Sequence, residues 1–459
     1  MAYTNIDNPE LFFQTKIYAG NSSTQSITLD GSENMRPDWV WIKNRSDSRK
    51  HNLYDSVRGA TKRLVANETV AEDTAGNGLT SFDSDGFTSG SEQDTNHSGN
   101  NFVAWNWSAG GASPAITYTV KVVSDSGNKY RFDDFGTSAV TLDLQEGGTY
   151  TFDQSDSSNA THPLRFYTAS DKSGGEYTTG VTTTGTPGSS GAKTVITVAA
   201  SAPTLYYQCS SHAGMGGQAN TNSTFGSSNF AGGTQSTVSA NTTAGFSIGT
   251  YTGTGSNATI GHGLGSTPSV IFVKKRNSAG DWNSFHNSLG NTGAMQLDHT
   301  GTFYTNSTIW NNTSPTSSVF SIGTNTNVNQ SGSTMIAYVF AEKTGFSKFG
   351  SFTGNGSTDG PFVYTGFKPA WVMIKASSRS TDNWVIVDSK RSTFNVADSA
   401  LLANTTGGID TGYKRDFLSN GFKIRESGAN QNGSGHTFTY MAFAEAPLVG
   451  SNNVPATAR

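Results

Sequence analysis

A seven-residue frame, opened by proline and closed by lysine, occurs three times in this chain. It reads Pro37-Asp-Trp-Val-Trp-Ile-Lys43, Pro268-Ser-Val-Ile-Phe-Val-Lys274 and Pro369-Ala-Trp-Val-Met-Ile-Lys375. In the first copy Val40 and Ile42 fall on one side of a strand, and Trp39, Trp41 and Lys43 on the other. Proline suits the start of a strand, where no ladder donor is lost. Other landmarks keep step. Tyr251-Thr-Gly-Thr-Gly and Phe352-Thr-Gly-Asn-Gly begin 17 residues before their prolines, and Tyr18-Ala-Gly-Asn begins 19 before Pro37. Asp55-Ser-Val-Arg58 matches Asp388-Ser-Lys-Arg391, Leu64-Val-Ala-Asn67 matches Leu401-Leu-Ala-Asn404, and Phe82-Asp-Ser-Asp-Gly-Phe87 matches Phe417-Leu-Ser-Asn-Gly-Phe422. A Ser-Gly pair precedes a closing strand in every copy. That strand's last aromatic, Trp107, Phe340 or Phe443, stands 70, 72 and 74 residues after its proline. Concordance over about 100 residues marks a repeated domain, too long for a solenoid unit, so each copy is expected to be a small β-sandwich. The middle copy is the most diverged: it lacks the Asp-Ser-x-Arg and Phe-x-Ser-x-Gly-Phe marks.

Short apolar runs separated by Gly, Asn, Asp and Ser read as strands and turns, and no long segment keeps a helical period, so the fold class is all-β. Glycine accounts for 53 of 459 residues and charged residues for 14%. The net charge of −4 leaves no basic surplus for phosphates, so no nucleic-acid partner is expected. No run nears the roughly 20 apolar residues of a membrane helix, and MAYTNIDNPE has neither the basic nor the apolar part of a signal peptide. A single cysteine excludes an intrachain disulfide.

Between copies one and two lies a segment of different character. Thr161-His-Pro-Leu-Arg-Phe166 is followed by Tyr206-Tyr-Gln-Cys-Ser-Ser-His-Ala-Gly-Met-Gly-Gly217. His162, Cys209, His212 and Met215 supply two imidazoles, a thiolate and a thioether, the ligand set of a blue-copper site. Three of them fall in C-x2-H-x2-M, which one tight loop can wrap around a metal. The stretch Ile116 to Thr221 resembles cupredoxins, Greek-key β-sandwich electron carriers. It departs from them at Pro163, where they usually carry Asn, and at Gly216 to Thr221, which reads as a poor strand. The resemblance implies copper as the cofactor, if one is held. The resulting division is 1–30 N-terminal arm, 31–112 copy one, 113–222 cupredoxin-like β-sandwich, 223–245 polar linker, 246–345 copy two, 346–449 copy three and 450–459 mobile tail.

No other motif carries specific chemistry, and no catalytic residue is assigned. The Asp-Ser-x-Arg pairs recur with the module and read as a contact that fastens a loop. The remaining histidines show no metal-ligand spacing. There is no P-loop, dinucleotide fingerprint or Gly-x-Ser-x-Gly elbow. Trp39, Trp41, Trp105, Trp107 and Trp371 lie on signature strands and read as packing. Trp282, Trp310 and Trp384 follow polar runs, the setting in which exposed aromatics stack on sugar rings, but no sugar site is assigned from them.

Arg36-Pro-Asp-Trp-Val-Trp-Ile-Lys-Asn-Arg45, Asp55-Ser-Val-Arg-Gly-Ala-Thr-Lys62, Ser81-Phe-Asp-Ser-Asp-Gly-Phe87 and Asn101-Phe-Val-Ala-Trp-Asn-Trp107 together resemble virion proteins of marine, cyanophage-type bacteriophages. The resemblance implies a non-enzymatic tail fibre or receptor-binding component, made in the bacterial cytoplasm and displayed on the virion. Its N-terminal part would attach to other virion proteins, and its C-terminal modules would meet a host-surface glycan or protein. A homo-oligomer is expected, in fibres typically a trimer. The alternatives are a capsid decoration or head-fibre protein, and a copper-binding metalloprotein.

Overall fold

Each proline-led frame becomes an interior strand of an antiparallel sheet. The computed structural model describes residues 4–450 and 455–457. In module 1 the order is Phe13–Ala19, Asn101–Trp107, Trp39–Asn44, His51–Asp55, Lys62–Val65 and Asp73–Thr74. Module 3 repeats it with Ser347–Thr353, Thr437–Pro447, Phe367–Ala376, Val385–Asp388 and Leu401–Leu402. Module 2 has Phe246–Thr252, Thr334–Phe340, Val270–Lys275, Asn283–His286, Gly290–Gln296 and Tyr304–Thr305 in the same order. Pro37 and Pro268 precede their strands, while Pro369 sits at a shift of register, a tolerated place for a residue without a donor.

A smaller sheet closes each sandwich: Gln25–Thr28 with Gly86–Ser89 and Leu79–Asp83 in module 1, and Phe362–Tyr364 with Gly421–Ile424 and Arg415–Leu418 in module 3. The Phe-x-Ser-x-Gly-Phe marks are the hairpins of these sheets, with Phe82 opposite Phe87 and Phe417 opposite Phe422. Module 2 lacks the mark, and its second sheet is the pair Ala258–Gly261 and Val319–Ile322. A further device repeats in all three modules. Asn96, Asn329 and Asn432 end one-turn helices ahead of the closing strands. Each carboxamide oxygen accepts from the turn after the opening strand, at Asn21, Thr254 and Asn355. Each amide donates to two backbone carbonyls.

The alternation in the signature strands predicts two faces, and both are buried. Val40 and Ile42 pack inside module 1 with Leu79, Phe87 and Phe102. Trp39 and Trp41 point into a central core shared by all three modules. There Trp39 stacks on Tyr338 at 4.6 Å, Trp107 meets Trp371 at 5.8 Å, and Phe340 meets Phe443 at 5.8 Å. The seams repeat cyclically. Lys43 donates to Thr406 O of module 3, Lys274 to Thr69 O of module 1 and Lys375 to Thr300 O of module 2. Two residues after each lysine a carbonyl accepts the next backbone bond across the same seam: Ile409 N–H to Arg45, Glu72 N–H to Arg276, and Phe303 N–H to Ser377. The opposite direction is run by Asp55 with Tyr338 Oη (2.6 Å), His286 with Tyr440 O (3.2 Å) and Asp388 with Trp105 Nε1 (2.9 Å). Three modules thus form one pseudo-threefold body within a single chain.

The insert has two sheets and its own core. One holds Asn128–Phe132, Ala115–Ser124, Thr149–Asp153, Lys193–Thr197 and Val181–Thr184; the other holds Leu142–Gln145, Gln218–Asn222, Leu205–Cys209 and Leu164–Tyr167.

Several expectations need correction. Within 1–30, Phe13–Ala19 is the edge strand of module 1 and Gln25–Thr28 belongs to its second sheet, so these residues are not a separate arm. Ile6 packs in the central core, and Thr4 Oγ1 donates to Thr344 O at 2.6 Å; residues 1–3 lie outside the described residues. The 223–245 linker is structured: Ser236–Asn241 pairs with Phe246–Thr252, and Phe230 enters the core of the insert. Gln218–Asn222 is a strand despite its composition, because ladders on both sides supply its hydrogen bonds. Trp282, Trp310 and Trp384 are buried rather than displayed. The Trp282 indole donates to Val65 O (2.8 Å) and the Trp384 indole to Gln296 O (2.9 Å), each across a seam, and Trp310 ends the one-turn helix Ser307–Trp310. Of the tail, 451–454 and 458–459 lie outside the described residues, while Ala456 N–H donates to Leu448 O at 2.9 Å.

Candidate metal centre

His162 follows Thr161, whose φ of 65° turns the chain into the strand Leu164–Tyr167. Its carbonyl accepts from Tyr130 Oη and Gln154 Nε2, both at 2.9 Å. Leu164 pairs with Cys209, the last residue of the neighbouring strand Leu205–Cys209, so residues 47 apart in sequence meet at one end of a sheet. Pro163, in the place where Asn is expected, still ties the loops: its carbonyl accepts from Ser210 N–H at 3.0 Å. The chain then bends back through His212 and Met215. Gly216 allows the return, since a Cβ there would lie 1.6 Å from Tyr207 O.

Three of the four expected residues come together. Cys209 Sγ is 3.8 Å from His162 Nδ1 and 3.6 Å from His212 Nδ1, with the imidazole centroids 4.6 Å apart. All three ligand atoms lie within 4.8 Å of one another. A metal with bonds of about 2.3 Å to sulfur and about 2.0–2.1 Å to nitrogen, at tetrahedral to trigonal angles, sets S···N separations of roughly 3.5–3.8 Å. The donors therefore fit a bound ion. Met215 closes the loop, and its side chain is buried in the core of the insert. Cys209 is fully buried, His162 is 9% exposed and His212 lies at the surface. Burial, with His212 as a second cause, holds His162 below the usual imidazole range, which favours the neutral ring a metal requires.

The supporting residues were not legible in the sequence. Tyr130 comes from another strand, and Lys172, at the start of the Gly/Ser/Thr-rich stretch 172–191, donates to the carbonyls of Cys209 (3.2 Å) and Ser210 (3.3 Å). Such groups orient ligands as much as the ligands bind.

A second cluster, Asp281, Asp298 and His299, lies in module 2. His299 Nε2 is 3.4 Å from Asp281, and burial pushes the Asp298 carboxyl up to about 6. Its homologous positions carry the Lys50–Glu68 ion pair (3.0 Å) in module 1 and the Asn383–Asn404 bond (2.8 Å) in module 3. It is the module's usual cross-strand contact with other side chains.

The profile of a family described as a domain of unknown function (DUF7483) matches residues 8–143 and 218–447. The chain belongs to the DUF7483 family. No curated protein matches it. The DUF7483 match takes in all three modules and omits 144–217, the stretch that carries His162, Cys209, His212 and Met215. The candidate centre is thus a feature of the insert, set into a DUF7483 body.

Proposed function

We propose that the protein is a non-enzymatic structural component displayed on a bacteriophage particle, a tail fibre or receptor-binding element. The observation that carries this reading is the pseudo-threefold body. Three modules locked through one aromatic core and cyclic seams make a stiff block suited to a threefold fibre axis. The sequence resemblance of residues 36–107 to cyanophage-type virion proteins supports the same reading. Labelling intact particles with gold-conjugated antibody against this chain tests it. Label at the tail is expected. Label on the head would replace the fibre reading with capsid decoration, and no label on the particle would remove both.

A second reading concerns the insert alone. It is favoured by the two Nδ1 atoms facing the buried Cys209 sulfur. His162, Cys209 and His212 would hold copper, with Met215 as the thioether; copper supplies one-electron chemistry when bound. Titration with Cu(II) should give an intense visible thiolate-to-copper band, absent in Cys209→Ser. A colourless protein that keeps no copper after dialysis would sink this reading and leave the display reading untouched.

A further inference from the structure

The small sheet of each module turns one face inward and one outward, and the three outward faces differ. In module 1 hydroxyls and a carboxylate satisfy one another: Ser26 with Thr88 (3.2 Å), Thr88 with Asp83 (2.8 Å) and Ser81 with Asp83 (2.7 Å). In module 2 the chain around Thr234 runs along one edge of the sheet, bridging to Ile260 and donating to Thr259 O. In module 3 the face is open and aromatic. Among the described residues, the large aromatic side chains classed as exposed are Phe362, Tyr364 and Phe394, and all belong to this module.

Their arrangement follows from strand register. Tyr364 stands opposite Gly421, which stands opposite Leu418; Phe362 stands opposite Lys423, which stands opposite Asp416. Along the far edge of Arg415–Leu418 runs a further segment. Ala397 exchanges both backbone bonds with Arg415 (2.8 and 3.0 Å), and the Asn395 carboxamide bonds both backbone groups of Phe417 (2.9 and 2.8 Å). This segment displays Phe394, 79% exposed. It belongs to a loop longer than its counterpart in module 1: Arg391 to Leu401 is ten positions, whereas Arg58 to Leu64 is six. The rings at the two edges are about three strand spacings apart, roughly 14 Å.

Between the rings the charges are paired. Lys423 meets Asp359 at 2.8 Å, and Arg425 meets Asp416 at 3.3 Å. No net sign remains to select an ionic polymer. The Phe362 ring lies against Gly421, and the ion pairs set beside the rings differ from the charge-depleted centre of a protein interface. Flat apolar faces interleaved with hydrogen-bonding groups match a chain of uncharged sugar rings, which carry C–H faces and hydroxyls together. We propose that this face of module 3 binds a neutral saccharide, with Tyr364 and Phe394 stacking on its rings and Asp416 and Lys423 bonding its hydroxyls. The proposal deepens the display reading and rests on it for the source of the sugar, a cell surface.

The test is binding of the full chain to an array of immobilised neutral oligosaccharides, with charged glycans alongside. Retention on at least one neutral glycan is expected. Tyr364→Ala with Phe394→Ala should weaken it roughly tenfold or more at unchanged melting temperature, while Ser26→Ala with Thr88→Ala in module 1 changes nothing. No binding to any neutral glycan, binding indifferent to the aromatic pair, or binding confined to charged glycans and lost in salt would each overturn the proposal. Gold label on particles combined with a silent array removes the sugar face and keeps the display reading; array binding by a chain absent from particles does the reverse.

Discussion

At the scale of single residues, one position in the repeat has changed chemistry while keeping its job. Asp55 and Asp388 reach across a seam with a carboxylate, and the same place in module 2 holds His286. Its Nδ1 accepts from Ser288 N–H, so Nε2 carries the proton that goes to Tyr440 O. Burial pushes this imidazole down to about 4, below the ordinary value near 6.5. The neutral ring is therefore preferred in the fold. Its contribution is complete above pH ~6.5 and falls as the pH drops toward ~4, on the order of 3 kcal/mol in all. Urea unfolding at stepped pH should show this slope, and His286→Asn should reduce it, with His51 and His262, also held down by burial, supplying the rest. The buried lysines act on the alkaline side. Lys43, Lys274 and Lys375 are each pushed down to about 8 by burial, so their deprotonation adds stability as pH rises from about 8 to about 10.5. Asp388 carries a larger stake, because it serves both Arg391 (2.6 Å) and Trp105. Asp388→Ala should cost about 3–5 kcal/mol by leaving a buried guanidinium without its counter-charge, measured as a shift in denaturant midpoint. Asp-Ser-x-Arg is legible in the sequence as a fastener, but its partner is not, since Trp105 lies 283 residues away.

At the scale of elements, the signature strands were legible because alternation separates two apolar sets. What alternation does not reveal is what covers the second face: Trp39 and Trp41 read as packing, and the two other modules are what they pack against. The asparagine that pins each closing turn was missed for a different reason. A lone Asn among many Asn, Ser and Gly gives no signal, although burial distinguishes it. Asn96→Ala, Asn329→Ala and Asn432→Ala should each cost about 1–3 kcal/mol through unsatisfied carbonyls, with similar values in all three modules by chemical denaturation. A spread wider than that range would mean that the three turns are not energetically alike. In the insert, the closeness of Cys209 and His212 was readable from C-x2-H-x2-M. Gln218–Asn222 was not, because its partners rather than its side chains make it a strand.

At the scale of the whole molecule, the modules share one core and the insert keeps another. Calorimetry should therefore give one transition for the three modules together and a separate one for the insert. A fragment holding residues 246–449 alone would bare Phe340, Trp371 and Phe443 to water, and is expected to aggregate or bind hydrophobic dyes. Two of the three seams join modules that are also connected through the chain. The third, between modules 3 and 1, has no such connection, yet it makes the same lysine-to-carbonyl bond, Lys43 to Thr406, and the same backbone bond, Ile409 to Arg45. The seam between modules 3 and 1 is thus held by surface chemistry and not by tethering. The molecule is in this sense divisible: two polypeptides, one ending after module 2 and the other supplying module 3, should find each other in solution and rebuild the whole.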